Sequence, residues 1–271
     1  MAPESKAAPP HPLPNGSDSL KFAVIGDFGN GSRAQYEVGE QMARFRERFP
    51  FELVLTVGDN MYGSQRPADF VRKFELPYKA LLDAGVKFYA SLGNHDSRDQ
   101  RLYKLFNMDG RLYYTFKPPK ADVRFFALET TYLDPEQVRW LEKELASSRE
   151  AWKIPYFHHP LYSSGGRHGS DAAKRQVLEP LFLKYGVSVV LTGHDHFYER
   201  VKPQQGIVHF VVGSSGQLRR GNLRQTGLTA AGNDRDQIFM AAEISGDEMH
   251  FNAVTRTGQI VDSGVIQRRK P

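Results

Sequence analysis

The chain has no cysteine among its 271 residues. Disulfides, thiolate metal sites and cysteine nucleophiles are therefore excluded, and any transition-metal site must be built from His, Asp, Glu, Asn or Tyr. No apolar stretch approaches the roughly 18 residues that a membrane span requires. Internal repeats are absent, as is any linker that would separate domains. What is present, 40% hydrophobic and 25% charged residues, suits one or two compact domains. The net charge of +5 favours anionic ligands, phosphate esters and nucleic acid included, although much of the excess is scattered or sits in the tail QRRKP.

The opening MAPESKAAPPHPLPNGSDSL is rich in Pro, Ala and Ser and is expected to be disordered over residues 1–20, with a single domain over 21–271. It lacks the apolar core of a signal peptide. It reads as the linker that follows an export signal already removed, which would place the protein in the periplasm or outside the cell.

From residue 21 one pattern recurs. KFAVIGD (21–27), ELVLTVGDN (52–60) and KFYASLGNHD (87–96) are short apolar runs, each closed by Gly and then Asp or Asn. KIPYFHHP (153–160) and VSVVLTGHDH (187–196) repeat the logic with histidines. Such continuous runs predict strands buried on both faces. Amphipathic helices are predicted between them. One spans 33–48 after an N-cap at Ser32, and one runs from Pro67 to Gly85 with an interruption at Pro77. A third has Asp134 as N-cap and Gln137 at the capping-box position, and a fourth ends on Gly186. Beyond residue 201, GIVHFVVG, QIFMAAEISGDEMHFNAV and GQIVDSGVI predict strands and a tight turn. The fold class is α/β, with a central sheet or sandwich flanked by helices.

In open α/β sheets the ligand crevice lies beyond the carboxyl ends of the strands. Asp27, Asp59, Asn94, His158, His194 and His196 all fall at such ends, and Tyr62 follows Asp59 by three residues. Seven donors are too many for one tetrahedral zinc, and they suit two metals that keep positions open for substrate. With His194 and His196 two residues apart, each can face a different metal of a close pair.

The blocks GDFG (26–29), GDNMY (58–62), GNHD (93–96), FHHP (157–160) and GHDH (193–196), in that order, resemble those of the calcineurin-like metallophosphoesterases. Through Tyr62 they are similar to the purple acid phosphatases of the small, tartrate-resistant type. The resemblance covers roughly residues 21–266 and implies two packed β-sheets flanked by helices, an αββα sandwich. It implies that Asp27, Tyr62 and His196 hold an iron(III) and that Asn94, His158 and His194 hold a second, divalent iron, zinc or manganese. Asp59 would bridge the two. A phenol, whose ordinary pKa is near 10, needs a strong Lewis acid to bind as phenolate, and Fe(III) is one.

The same resemblance implies that His95 donates a proton or hydrogen bond to bound phosphate and that His168, in SSGGRHG, contacts the substrate. His168 also reads as a loop histidine with no role. Asp96 and Asp195 are expected to bond backbone or ligands rather than metal, and His159 to point away from the site. Small animal members usually carry a disulfide, which this chain cannot form. Phe28 stands where a small polar residue is common and is expected in the pocket wall.

The function implied is a dinuclear-metal acid phosphatase that hydrolyses phosphate monoesters by in-line attack of a metal-bound hydroxide. A phosphodiesterase or nuclease of the same superfamily is the near alternative, and would need room for a second ester group. A non-catalytic binding module on this fold would typically lack metal ligands, and none is missing here. Small phosphate esters are the expected partners, with neither nucleic acid nor membrane; the oligomeric state is left open.

Overall fold

A computed structural model describes residues 11–119 and 121–270. The strands are β1 (Leu20–Ile25), β2 (Leu53–Val57), β3 (Lys87–Ser91), β4 (Tyr114–Phe116), β5 (Val123–Ala127), β6 (Trp152–Tyr156) and β7 (Val189–Thr192). They continue with β8 (Tyr198–Val201), β9 (Val208–Val212), β10 (Thr229–Asn233), β11 (Ile238–Ser245), β12 (Glu248–Thr255) and β13 (Ile260–Gln267). One sheet has the order β13-β12-β11-β1-β2-β3 and the other β10-β8-β9-β7-β6-β5-β4. Within the first, β1, β2 and β3 are parallel; within the second, β5, β6, β7 and β9 are parallel. Parallel neighbours need crossover connections, and helices supply most of them.

The two sheets enclose a common apolar core. Phe22 of β1 meets Phe125 of β5 edge-on at 5.4 Å, and Phe210 of β9 meets Phe251 of β12 at 5.0 Å. Strand alternation divides the burial: Phe125 and Ala127 enter this core, whereas Phe126 and Leu128 enter a second cluster on the outer face. That outer cluster is covered by Leu141 and Leu145 of α4 (Pro135–Ser147) and by Leu178 and Phe182 of α5 (Ala172–Lys184). The arrangement is the expected one, two packed β-sheets flanked by helices.

The first helix, α1, is Arg33–Arg46, capped by Ser32, which accepts from Gln35 N at 3.3 Å. The predicted helix from Pro67 is broken into α2 (Pro67–Phe70), a wide turn over 71–75 and α3 (Lys79–Asp83). Pro77, which has no N–H to donate, lies in the gap. Asp134 caps α4 by accepting from Gln137 N at 2.8 Å. The Gln137 side chain does not close a capping box. Its amide brackets Glu129 instead, accepting from the Glu129 N–H at 2.8 Å and donating to the Glu129 carbonyl at 2.8 Å. It thereby ties the start of α4 to the end of β5.

Strands β4, β5, β8 and β10 were not among those predicted. In β5 the charged Arg124 masks an apolar run; its guanidinium lies 5.4 Å over Phe126 and bonds Glu144. The opening segment also differs from expectation. Residues 1–10 lie outside the described residues, but 11–19 are placed against the first sheet. There the buried Glu243 carboxylate accepts from Asn15 N at 2.6 Å, Gly16 N at 2.7 Å and Ser19 Oγ at 2.5 Å. No helix among the described residues is long and apolar enough to cross a membrane.

Because these three donors converge on one buried carboxylate, Glu243→Gln should lower unfolding free energy by about 1–3 kcal/mol. Urea titration measures the loss, and limited proteolysis should show residues 11–19 released before the core opens.

Candidate metal centre

The carboxyl ends of β1, β2 and β3 in one sheet and of β6 and β7 in the other face the same edge of the sandwich. Each is followed, two or three residues on, by a polar residue that the backbone turns inward. Asp27, Asp59 and His194 adopt positive φ, at 53°, 51° and 71°. Non-glycine residues are uncommon in that region, and such conformations concentrate at functional sites. The glycines before Asn94 and His194 have a packing reason. A Cβ on Gly93 would lie 2.2 Å from Asp59 Oδ1, and one on Gly193 would lie 2.5 Å from Asp27 Oδ2. The recurrent glycine therefore lets one strand end pass directly over the carboxylate of another.

Two groups of donors result, sharing Asp59. In the first, Tyr62 OH stands 3.1 Å from Asp27 Oδ1, 2.9 Å from Asp59 Oδ2 and 3.2 Å from His196 Nε2. In the second, His158 Nε2 stands 3.1 Å from Asn94 Oδ1, 3.1 Å from His194 Nδ1 and 3.4 Å from Asp59 Oδ1. Each group is held together by one proton facing three acceptors, more than one hydrogen can serve. Ligands about 2.1 Å from one cation and at right angles would stand about 3 Å apart. A cation in each group would satisfy what a single proton cannot, so the donor set fits a metal pair. Asp27, Asp59 and His196 also form a compact cluster by themselves, their ligand atoms within 4.8 Å of one another.

Electrostatics agree with this geometry. Burial alone would push His158 down, but the Asp59 and Asp27 carboxylates outweigh it and raise it to about 10. Its Nδ1 lies 3.0 Å from the Val57 carbonyl, which directs Nε2 at the donor group. His194 is held well below the usual imidazole range by burial and by the charge of His158. Tyr62 is raised far above the ordinary phenol by burial and by both aspartates, so without a cation it keeps its proton. Asp96 is pushed up to about 7 by burial and by Asp59. It accepts from Gly93 N at 2.8 Å, Asn60 N at 3.0 Å and Met61 N at 2.9 Å, and so locks two ligand loops together.

His95 and His168 stand one beside each group. The His95 ring packs 4.7 Å from Tyr62 while its backbone N–H donates to Asp59 Oδ1 at 2.9 Å. The His168 ring lies 4.2 Å from that of His194, and burial holds it below the usual range. Asp195, fully buried, fixes the His168 loop by accepting from Ser163 Oγ at 2.6 Å and Gly169 N at 3.1 Å.

Two expectations are corrected. Phe28 is not in a pocket wall; it is buried in the core, edge-on to Tyr78 at 5.6 Å. His159 does not point away from the site; it packs 4.5 Å behind His194 and bonds Thr130 Oγ1 at 2.9 Å. One residue was not singled out at all. Arg219 donates its backbone N–H to the His196 carbonyl at 2.9 Å, and its Nη1 is buried with no hydrogen-bond partner among the described residues. Nothing in the local sequence LRRGN marks it, because its place depends on a loop returning from β9.

Two facing sheets that aim Asp, Asn, His and Tyr from their strand ends at one point define the metallophosphoesterase class. The chain belongs to the calcineurin-like phosphoesterase family, whose pattern it matches over residues 20–198. It is 25% identical to rat tartrate-resistant acid phosphatase type 5, over 93% of this chain and 92% of that protein. It is 28% identical to purple acid phosphatase 17 of Arabidopsis thaliana, over 73% of this chain and 68% of that one. In fold it is similar to GAP50, the anchor in the inner membrane complex of Plasmodium, with TM-score 0.82 and 18% identity over 93% and 90% of the two chains. The purple acid phosphatase PPD1 of yellow lupin seeds gives TM-score 0.76 and 20% identity, over 95% of this chain and 55% of that one.

The His158 proton would give a bound metal pair a measurable signature. A cation must displace it, and a phenolate at Tyr62 requires the loss of a second proton held even more tightly, so metal affinity should rise with pH across the neutral and alkaline range. Reconstitution at neutral pH in weak buffer should take up two metals per chain by elemental analysis and release at least one proton; uptake without proton release would contradict the arrangement.

Proposed function

We propose that the protein is a dinuclear-metal acid phosphatase acting on phosphate monoesters. The observation that carries the reading is the pair of donor groups joined at Asp59, complete in every position, in a chain whose relatives are named acid phosphatases. Asp27, Tyr62 and His196 would hold Fe(III); Asn94, His158 and His194 would hold a divalent iron, zinc or manganese; Asp59 would bridge. When bound, the pair supplies Lewis acidity toward the phosphoryl oxygens and toward the attacking water, strong enough to act in mild acid.

The chain's own groups do the rest. Buried carboxylates and imidazoles fix both cations without rearrangement, and the Asp96 and Val57 contacts keep the ligand loops in register. His95 and His168 are placed to donate to the phosphoryl group or the leaving alcohol. The Arg219 guanidinium, whose charge acts on His168 and whose Nη1 has no hydrogen-bond partner among the described residues, would supply a positive donor on that side of the site. A monoester dianion gains more from this charge than a diester with a single negative charge, which favours the monoesterase over the diesterase or nuclease reading. Small phosphate esters are the substrates, and the periplasm or the exterior is the compartment in which we place it.

The fold likeness to GAP50, described as an anchor, raises the non-catalytic alternative. The complete donor set argues against it here. With both metals bound, p-nitrophenyl phosphate should be hydrolysed well, best at mildly acidic pH, and bis-p-nitrophenyl phosphate poorly. Arg219→Gln should narrow that preference about tenfold, since a hydrogen bond to a charged group contributes about 1.5–3 kcal/mol. A reversed preference at matched metal loading would assign the protein to the diesterases.

The Tyr62 assignment has a spectroscopic test. A phenolate on Fe(III) transfers charge to the metal and absorbs visible light, so the aerobically purified protein should be purple to pink and Tyr62→Phe colourless. A colourless wild type containing Fe(III) would remove Tyr62 from the ligand set.

A further inference from the structure

A cleft of about 500 Å³ opens between α2 with its wide turn and the segment 97–103. We propose that it binds organic ammonium ions with an apolar body, and that two glutamines lining it couple its occupancy to the turn carrying Asn94 and His95. The binding site is independent of the phosphatase reading; the coupling rests on the metal pair proposed above.

Its walls are aromatic and aliphatic, as ligand sites for small molecules commonly are. The rings of Phe70 and Tyr103 stand 4.4 Å apart, inclined at 41° and both half-buried, and Val71 beside them is 42% exposed. The charge in the wall is of one sign. Glu75 and Asp99 line the cleft, and no Lys or Arg does so among the described residues. Nearby basic groups are engaged elsewhere: Arg66 and Arg72 with Asp69 at 3.4 and 3.5 Å, Lys73 with the Tyr62 and Ser64 carbonyls at 2.7 Å, and Arg98 over Tyr132 at 5.5 Å. Arg101 pairs with Asp99 at 3.3 Å and offsets its charge. Glu75 remains. It has no basic partner among the described residues, and its Oε1 accepts from the Tyr103 hydroxyl at 2.7 Å. Burial and the Glu75 charge hold the Tyr103 phenol well above its ordinary value, so the proton stays in that bond. A carboxylate beside two aromatic rings attracts an ammonium ion by its charge and by the ring quadrupoles together. An anion would be repelled by Glu75, and a neutral apolar molecule would gain nothing from it.

Gln65 and Gln100 also line the cleft, and their hydrogen bonds lead directly to the donor loops. Gln65 Oε1 accepts from Ser97 N and from Gln100 Nε2, each at 2.9 Å, while its Nε2 donates to the His95 carbonyl at 2.7 Å. Gln100 Nε2 donates in addition to Asp96 Oδ1 at 2.7 Å, and Asp96 is the clamp on Gly93, Asn60 and Met61. One amide network therefore borders the cleft and holds the turn 93–96. A ligand resting on these amides and a cation ordering Asn94 restrict the same network, so each would favour the other by an equal factor.

The probe is benzyltrimethylammonium, whose quaternary nitrogen cannot ligate a metal; benzenesulfonate supplies a similar ring with the opposite charge. Calorimetric titration of the full chain, with metal content fixed by elemental analysis, should show the cation bound and the sulfonate not. Glu75→Gln should weaken binding about tenfold. Val71→Lys introduces an ammonium group from an exposed position and should abolish it. The cation should bind at least about fivefold more tightly to the metal-loaded chain than to the metal-free chain, and Gln65→Ala should remove that difference. Equal uptake of cation and sulfonate, or binding unchanged in folded Glu75→Gln and Val71→Lys, would overturn the site. Binding through Glu75 with the same affinity in the metal-free and metal-loaded chain would overturn the coupling. A chain that takes up no metal yet binds the cation through Glu75 would retain the site and overturn both the metal pair and the coupling.

Discussion

Asp59 is the carboxylate on which both halves of the centre depend. One oxygen faces Tyr62 and the other faces His158 and the His95 N–H, so neither is free to relax toward solvent. Burial would favour its neutral form, yet the charge and hydrogen bond of His158 together with the His95 N–H hold it ionised below the usual carboxylate range. An ionised carboxylate at 1% exposure demands positive charge on both sides. The left-handed turn at Asp59, the glycine beneath it and the clamp by Asp96 all maintain that demand.

The layout of the fold follows from where such a group can be tolerated. Strand ends of two facing sheets offer backbone N–H groups and short turns without exposing the core, and the apolar runs behind them supply rigidity. Asp27, Asp59, Tyr62 and Asn94 leave the first sheet, whereas His158, His194 and His196 leave the second. Neither sheet carries a complete half-site.

Much of this was legible in the chain because four of the five contributing strands are largely apolar runs closed by Gly and a candidate donor, and the fifth, β6, runs straight into Phe157 and His158. The pattern marks both the strand and the inward turn, so the seven donors could be named together. The strands that escaped notice lack that mark: β5 carries Arg124, whose charge is neutralised by a distant helix, and β4 and β10 lie at the edges of their sheet. Phe28 was misplaced because a residue beside a ligand reads as pocket wall, whereas the positive φ of Asp27 turns the next side chain into the core. His159 was misjudged by assuming strict strand alternation past the end of β6, where the chain has already left the sheet. Arg219 is a product of tertiary return, and no local spacing announces it.

The division of donors between the sheets makes the seam between them act as a latch. Because each proposed cation would draw ligands from both sheets, a chain whose sandwich has not closed presents only fragments of either site. Firm capture of metal would then be a late event that certifies assembly, and the loaded ions would act as cross-links resisting separation of the sheets along that edge. For a chain that cannot form a disulfide, this would place a substitute staple at the edge where Asp27, Asp59 and His194 hold left-handed backbone.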